Sequence, residues 1–436
     1  MADAITRLVR ACAPNEPVGP DDPRYVNCDD VRGENLARLY ERTLRRADPE
    51  RPEVRVFAGH RGVGKTSELR RLKGFLEGPE HEGDKPFLVL YSDVSRSLDL
   101  NDLDFPDLLV FLAAELQQQL RKAKIPGYSA LSEYLQQLWG EFKSVLGSEL
   151  SLGGAAVEVP YGKLALELKN RPSARSELRQ AIERQSTSLL FGLNDLLGEA
   201  TVRLRESGRE GLVLIVDGLD KLTYRELDHS GTGTHERLFI QRSEQLASLQ
   251  AHVVYTVPIS LIYSPQFAQL EQTFGGHQVP VPMIRLHERD DPEPKGETPG
   301  LAKLREILEA RSRHAGVDFG EVFDAERTCR RLCQMTGGHP RHLMMFVQAA
   351  ANEVDELPIT RDAVEKAIRN YANSLFREVP DEFWPHLRKF DAPRDDIPKD
   401  ETHQQMLFYL HVFEYMNGEP WYEVNPVLRT LPKFRG

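Results

Sequence analysis

Val54, Arg55, Val56, Phe57, Ala58, Gly59, His60, Arg61, Gly62, Val63, Gly64, Lys65, Thr66 is the stretch that decides the fold: an apolar run entering G-x-x-x-x-G-K-[ST]. Gly59, Gly62 and Gly64 admit backbone conformations closed to other residues, so successive N–H groups can converge on phosphate oxygens. Lys65 supplies a point charge for the outer phosphates, and the Thr66 hydroxyl is placed to reach Mg²⁺. His60, Arg61, Val63 and Ser67 complete the expected phosphate cradle. Downstream, Glu68, Leu69, Leu72, Phe75 and Leu76 recur at helical spacing, so the loop opens a helix whose N-terminal dipole favours an anion. Strand, loop and helix in this order predict a nucleoside triphosphate site.

A second half of that site lies far downstream. Leu212, Val213, Leu214, Ile215 and Val216 form a continuous apolar run ending in Asp217, the pattern of a buried parallel strand with a carboxylate at its C-terminal end. Asp217 is the expected Mg²⁺ residue. The next position, where many such sites carry a water-polarising glutamate, is Gly218. Asp220 is the nearest candidate base, with a helix N-cap as its competing role.

The chain has 436 residues, 40% hydrophobic and 28% charged, enough for a large core and several domains. A net charge of -11 argues against indiscriminate coating of nucleic acid. No stretch approaches the ~20 apolar residues that cross a bilayer, and the first residues lack a signal-peptide core. The expectation is a soluble cytoplasmic protein with no membrane contact. Cys12 and Cys28 stand alone, and Cys329 and Cys333 lack the second pair of a zinc site, so buried thiols are expected.

Along the chain, residues 1–50 read as a lead-in, with Asp29 and Asp30 as candidate caps for a helix carrying Leu36, Leu39, Tyr40 and Leu44. Residues 51–290 form the core. Its further strands are Phe87 to Tyr91, His252 to Val257 and a last one at Val279 to Leu286. Lys65 and Asp217 are far enough apart to imply an insertion at about 125–205. Within it, Val157, Val159, Leu164, Leu166 and Leu168 alternate around Pro160, Tyr161 and Gly162 as a hairpin does, and Ser176 to Leu204 reads as a helix. A partner contact and a purely structural role both fit that insertion. After a charged, Pro-rich linker, residues 291–376 turn helical, with Pro340 suited to a first helical position. In 377–436 a helix at Gln404 to His411 precedes Asn417 and Gly418, set between aromatic-rich runs as in a hairpin.

Together, the P-loop, the strand ending in Asp217, Gly218, Leu219 and Asp220, the strand ending near Thr256, the Gly338, His339, Pro340 helix start and the terminal hairpin resemble the AAA+/STAND group of ATPases. That group includes NACHT and NB-ARC switches and ORC/Cdc6-like archaeal ATPases. The resemblance implies an α/β fold: a three-layer parallel-sheet P-loop NTPase core, a helical lid and a C-terminal winged-helix-like domain. It assigns Lys65 and Thr66 to phosphates and Mg²⁺, Asp217 to Mg²⁺, Thr256 to a γ-phosphate sensor that competes with an ordinary strand-end role, and Pro340 to the base. Arg341 matches an arginine that some relatives aim at the γ-phosphate; a solvated helix-start arginine is its plain alternative. Tyr25 and Val26, just before the first strand, fall where the base is flanked. Tyr263 to Pro280 holds no arginine finger, leaving Arg285 or Arg61 as substitutes.

The implied activity is that of a slow ATPase, with ATP and Mg²⁺ as cofactors. It would switch a partner effector protein, assembling as a nucleotide-dependent homo- or hetero-oligomer in a conflict or antiphage (antiviral defence) system. The second reading is a DNA-acting loader or initiator. A tail with at least as many acids as bases disfavours that nucleic-acid partner.

Overall fold

The computed structural model describes residues 3–435 except 79–80, 82, 126–171, 228–232, 277 and 293–295. The hairpin expected at Val157 to Leu168 lies outside the described residues.

Three helices, α1 (Ala4–Ala11), α2 (Asp29–Arg32) and α3 (Leu36–Arg46), precede β1 (Val54–Phe57). Asp29 and Asp30 lie inside α2 instead of capping the next helix. The α3 cap is Asn35, whose side chain accepts from Arg38 N, because Gly33 first turns the chain through a left-handed conformation. Next come α4 (Lys65–Glu77), β2 (Leu88–Asp93), α5 (Phe105–Lys122), α6 (Pro172–Glu206) and β3 (Leu212–Asp217). Two short helices, α7 (Thr234–Phe239) and α8 (Ser243–Ala247), lead to β4 (His252–Thr256), and α9 (Ile259–Ile262) and α10 (Phe267–Phe274) follow it.

The strands are parallel in the order β1-β4-β3-β2. Strand alternation divides the core into layers. Leu212, Leu214 and Val216 pack with α5, α6 and α10, while Val213 and Ile215 pack on the opposite face with α3 and α4. Because the strands are parallel, the loops after β1 and β3 emerge at the same C-terminal edge of the sheet, with β4 between them.

The strand expected at Val279 to Leu286 does not form. Its backbone amides go to four different elements: Val281 N to Ala58 O (2.8 Å), Met283 N to Glu414 O (3.0 Å), Ile284 N to Gly338 O (3.4 Å) and Arg285 N to Val31 O (3.0 Å). Within this segment, the bridge between Gly59 and Val281 extends the sheet. The segment is a seam joining core, hairpin, lid and lead-in.

Beyond it come α11 (Pro299–Ala315), α12 (Glu326–Met335), α13 (Pro340–Ala351), α14 (Arg361–Glu378), α15 (Trp384–Leu387) and α16 (Glu401–Phe408). The expected helix to His411 stops at Phe408, since Leu410 takes a positive φ of 65°. The antiparallel hairpin β5 (Val412–Asn417) and β6 (Glu419–Val424), then α17 (Pro432–Arg435), complete the winged-helix-like end. Phe413, Tyr415 and Trp421 pack with the core sheet, and Val412, Tyr422 and Val424 with the lid helices. One hairpin thus serves two hydrophobic clusters. All four cysteines are free and buried, and no helix among the described residues is long and apolar enough to cross a membrane.

Candidate functional site

The loop between β1 and α4 turns through positive φ at Gly59 (146°), Gly62 (88°) and Gly64 (110°). Lys65 folds back under it, donating to Gly59 O (2.7 Å) and His60 O (2.8 Å) and pairing with Asp220 Oδ2 at 2.8 Å. Burial pulls the Lys65 ammonium pKa down, with Asp220 working against the shift. Burial pushes the Asp220 carboxyl the other way, but Lys65 wins and holds it below the usual carboxylate range.

Thr66 and Asp217, 151 residues apart, meet: the Thr66 hydroxyl donates to Asp217 Oδ2 at 2.7 Å. Tyr91, from the middle of β2, donates to the same oxygen, and Gly218 N donates to Oδ1 at 2.7 Å. Burial, then the nearby Asp220 charge, raises the Asp217 pKa. A hydroxyl and a carboxylate are hard oxygen donors suited to Mg²⁺, which commonly keeps waters and substrate phosphates as its other ligands.

A cavity of about 370 Å³ opens over the loop. Gly62, Val63, Gly64, Lys65, Thr66 and Ser67 line it, together with Asp93, Asp220, Pro340 and Arg341. Tyr25 and Val26 also line it, and the buried Tyr25 hydroxyl has no hydrogen-bond partner. Arg341 is largely buried and its Nε is unpaired; burial and then Arg61 pull its pKa down, with Asp220 opposing.

Other expected site residues lie outside the lining, Asp217 among them, which is 1% exposed and meets the cavity only through Thr66. Gly59 packs on Val281. Arg61 sits over the Phe408 ring, and its carbonyl accepts from His339 Nε2 at 2.8 Å. His60 is fully buried and faces the hairpin: its Nδ1 pairs with Leu407 O (3.1 Å) and its Nε2 accepts from Glu414 N (2.9 Å). Thr256 is buried behind β3, where its hydroxyl accepts from Leu219 N (3.0 Å) and donates to Val216 O (3.4 Å). Its one proton is therefore committed to backbone. Arg285 is held in the seam by Glu288 at 2.9 Å.

Tyr91, Asp93, Arg32 and His339 were not read from the sequence as parts of this site. Arg32 bonds Val63 O and pairs with Glu68 at 3.4 Å, lying over Gly64. Asp93 had a signal: β2 ends in an aspartate as β3 does. The others depend on contacts between distant segments, which strand and helix periodicity cannot show.

No protein family matches the sequence, nor does any curated protein. Solved structures do resemble the fold. A Walker-type ATPase of Pyrococcus abyssi matches at 15% identity and a TM-score of 0.41, over 93% of this chain and 96% of its own. The ORC2 protein of Aeropyrum pernix in ADPNP–ADP complexes matches at 13% and 0.46, over 98% and 95%. Cdc6p of Pyrobaculum aerophilum matches at 12% and 0.40, over 98% and 96%. At such identities and scores the likeness carries nothing about activity.

Proposed function

We propose that this chain binds Mg·ATP in the loop cavity and hydrolyses it slowly, as a switch that controls a partner protein. The observation that carries the reading is the meeting of Thr66, next to Lys65, with the buried Asp217 under a loop that is itself hydrogen-bonded to both the lid and the hairpin. His339 holds Arg61 O, and His60 is clasped between Leu407 and Glu414, so any shift of the loop backbone on loading is felt by the C-terminal half.

The loop amides bind phosphate oxygens, helped by the N-terminus of α4. Lys65 exchanges its contacts with Asp220 and two loop carbonyls for the outer phosphates, and Arg341, whose Nε is unpaired, meets the γ-phosphate. Thr66 and Asp217 would hold Mg²⁺, which supplies charge neutralisation between the phosphates. Release of phosphate returns Lys65 to Asp220 and frees Arg341, the two-state element a switch needs. The partner we propose is a separate effector protein in a conflict or antiphage setting, met as a nucleotide-dependent oligomer. A DNA-loading role would call for an unpaired basic face. The tail carries more acids than bases, and Arg394 there pairs with Asp396, and Arg429 with Asp391 and Glu423, although Arg377, Lys389 and Lys399 stand exposed.

Calorimetry with Mg·ATP is the test. Wild type should bind, and Lys65→Ala should lose at least about tenfold in affinity, the scale of one charged contact. Absence of heat with wild type would end the reading.

A further inference from the structure

β3 brings no carboxylate to the position after Asp217, where Gly218 takes a φ of 93°. A Cβ built on Gly218 would lie 2.9 Å from Oδ1 of Asp93. The space a side chain at 218 would enter is thus already filled by a carboxylate from the neighbouring strand. β2 and β3 run parallel with Asp93 opposite Asp217, so both acids leave the same edge of the sheet on the same face of the pleat.

Asp93 lines the loop cavity beside Asp220. Its side chain is 22% exposed, whereas that of Asp220 is 6% exposed and bound to Lys65. Ser95 holds Asp93 Oδ1 through its N–H (3.1 Å) and hydroxyl (2.6 Å), and Lys221 in turn donates to the Ser95 hydroxyl at 3.1 Å. Oδ2 accepts from Arg96 Nε at 3.2 Å, and Arg96 is 75% exposed, so that pair is a screened surface one. Oδ1 is thus held by two donors from Ser95, while Oδ2 has the single Arg96 contact on a side chain that keeps 22% of its surface exposed.

We propose that Asp93 is the general base of the hydrolysis, supplying from β2 the carboxylate that β3 lacks; this rests on the ATPase reading above. Water attacks the γ-phosphorus, and the bond from that phosphorus to the β,γ-bridging oxygen breaks. ADP leaves with the bond's electron pair, and Asp93 takes the water's proton and later returns it to solvent. The products are ADP and inorganic phosphate.

The competing role for Asp93 is that of a cap on the short turn it begins, and Asp93→Asn separates the two. Asparagine caps as well as aspartate but carries no charge to accept a proton. Phosphate release, calorimetry with Mg·ATP, thermal melting and the identity of nucleotide recovered from the protein are to be compared. The expected result is an unchanged melting temperature, affinity within about threefold, intact ATP recovered from the variant, and turnover lowered by about 100-fold or more. Asp93→Ser, which also caps, should behave the same way. Turnover in both variants within about threefold of wild type would overturn the assignment and leave Asp93 a cap. If the wild-type chain binds Mg·ATP but releases no phosphate, the hydrolysis reading falls, and this assignment with it. That outcome is visible before any variant is made.

Discussion

Gly62 shows how much of this site rests on single atoms. Its φ of 88° is left-handed, and a Cβ there would meet His339 Cε1 at 2.8 Å and Arg341 Cβ at 2.9 Å. Glycine at this position lets the lid close directly onto the loop, which is what brings Arg341 over the cavity. Gly62→Ala should cost about 1–3 kcal/mol through backbone strain and forced separation of the lid. It should also weaken Mg·ATP binding more than its loss of stability explains. Denaturant titration and calorimetry on the same preparation check both. His60 shows a residue whose type was noted and whose direction was not. Among the loop residues it reads as part of a cradle, yet its ring is spent on Leu407 and Glu414, more than 300 residues away in sequence.

The hairpin of β5 and β6 is the element with the most to reveal. The hairpin expected around Asn417 and Gly418 forms, but Asn417 itself belongs to β5 and pairs with Glu419, so Gly418, at a φ of 79°, alone stands between the strands. What the alternation could not show is that both faces are buried, one on the sheet and one on the lid. Glu414 is therefore trapped inside, one of its oxygens unpartnered, and burial raises its pKa from 4.5 to about 7 despite a hydrogen bond from Tyr263. Between pH 4.5 and 7 the unfolded chain has released this proton while the folded chain keeps it, so this group's contribution to stability falls as pH rises through that window and is level above it. Glu414→Gln should remove that fall and raise stability at pH 8 by a few kcal/mol, since each tenfold change in proton affinity is worth about 1.4 kcal/mol. Melting temperatures of the two proteins at pH 5 and pH 8 give the comparison. An equal pH response in both would show that Glu414 ionises freely.

At the scale of the whole molecule, buried neutral histidines stand at several of the joins. Burial, aided by Lys65, holds His60 down to about 3, and burial, aided by Arg341, does the same to His342. His235, His252 and His411 are held to about 4, chiefly by burial. Each starts from 6.5, so below that value the unfolded chain takes up protons that the folded chain refuses. The stability these groups contribute is complete above pH 6.5 and is lost progressively as pH falls through the folded values. These five histidines favour the fold at neutral pH, while the raised carboxyls of Glu414, Glu236 and Glu378 act the other way; with the histidine shifts the larger, the urea midpoint should drop between pH 7.5 and pH 5.5. A midpoint that stays level would mean that these rings open to water before the fold does.

The sequence by itself determined four strands of the sheet, the loop and the pair of residues, Thr66 and Asp217, that meet beneath it. Buried parallel strands and glycine-rich turns follow from local composition and period, and Lys65, Thr66 and Asp217 follow from where such strands must end. Only the tertiary structure decided which neighbour each of those residues would have. The seam at Val279 to Leu286 reads as a strand because its residues are apolar, but its amides are claimed by four separate elements. Asp93 reads as the end of an ordinary strand, and it gains its meaning only from the empty side-chain position at Gly218 on the strand beside it. Hydrophobic period records which face a residue turns inward; it carries no record of which distant segment will be there to meet it.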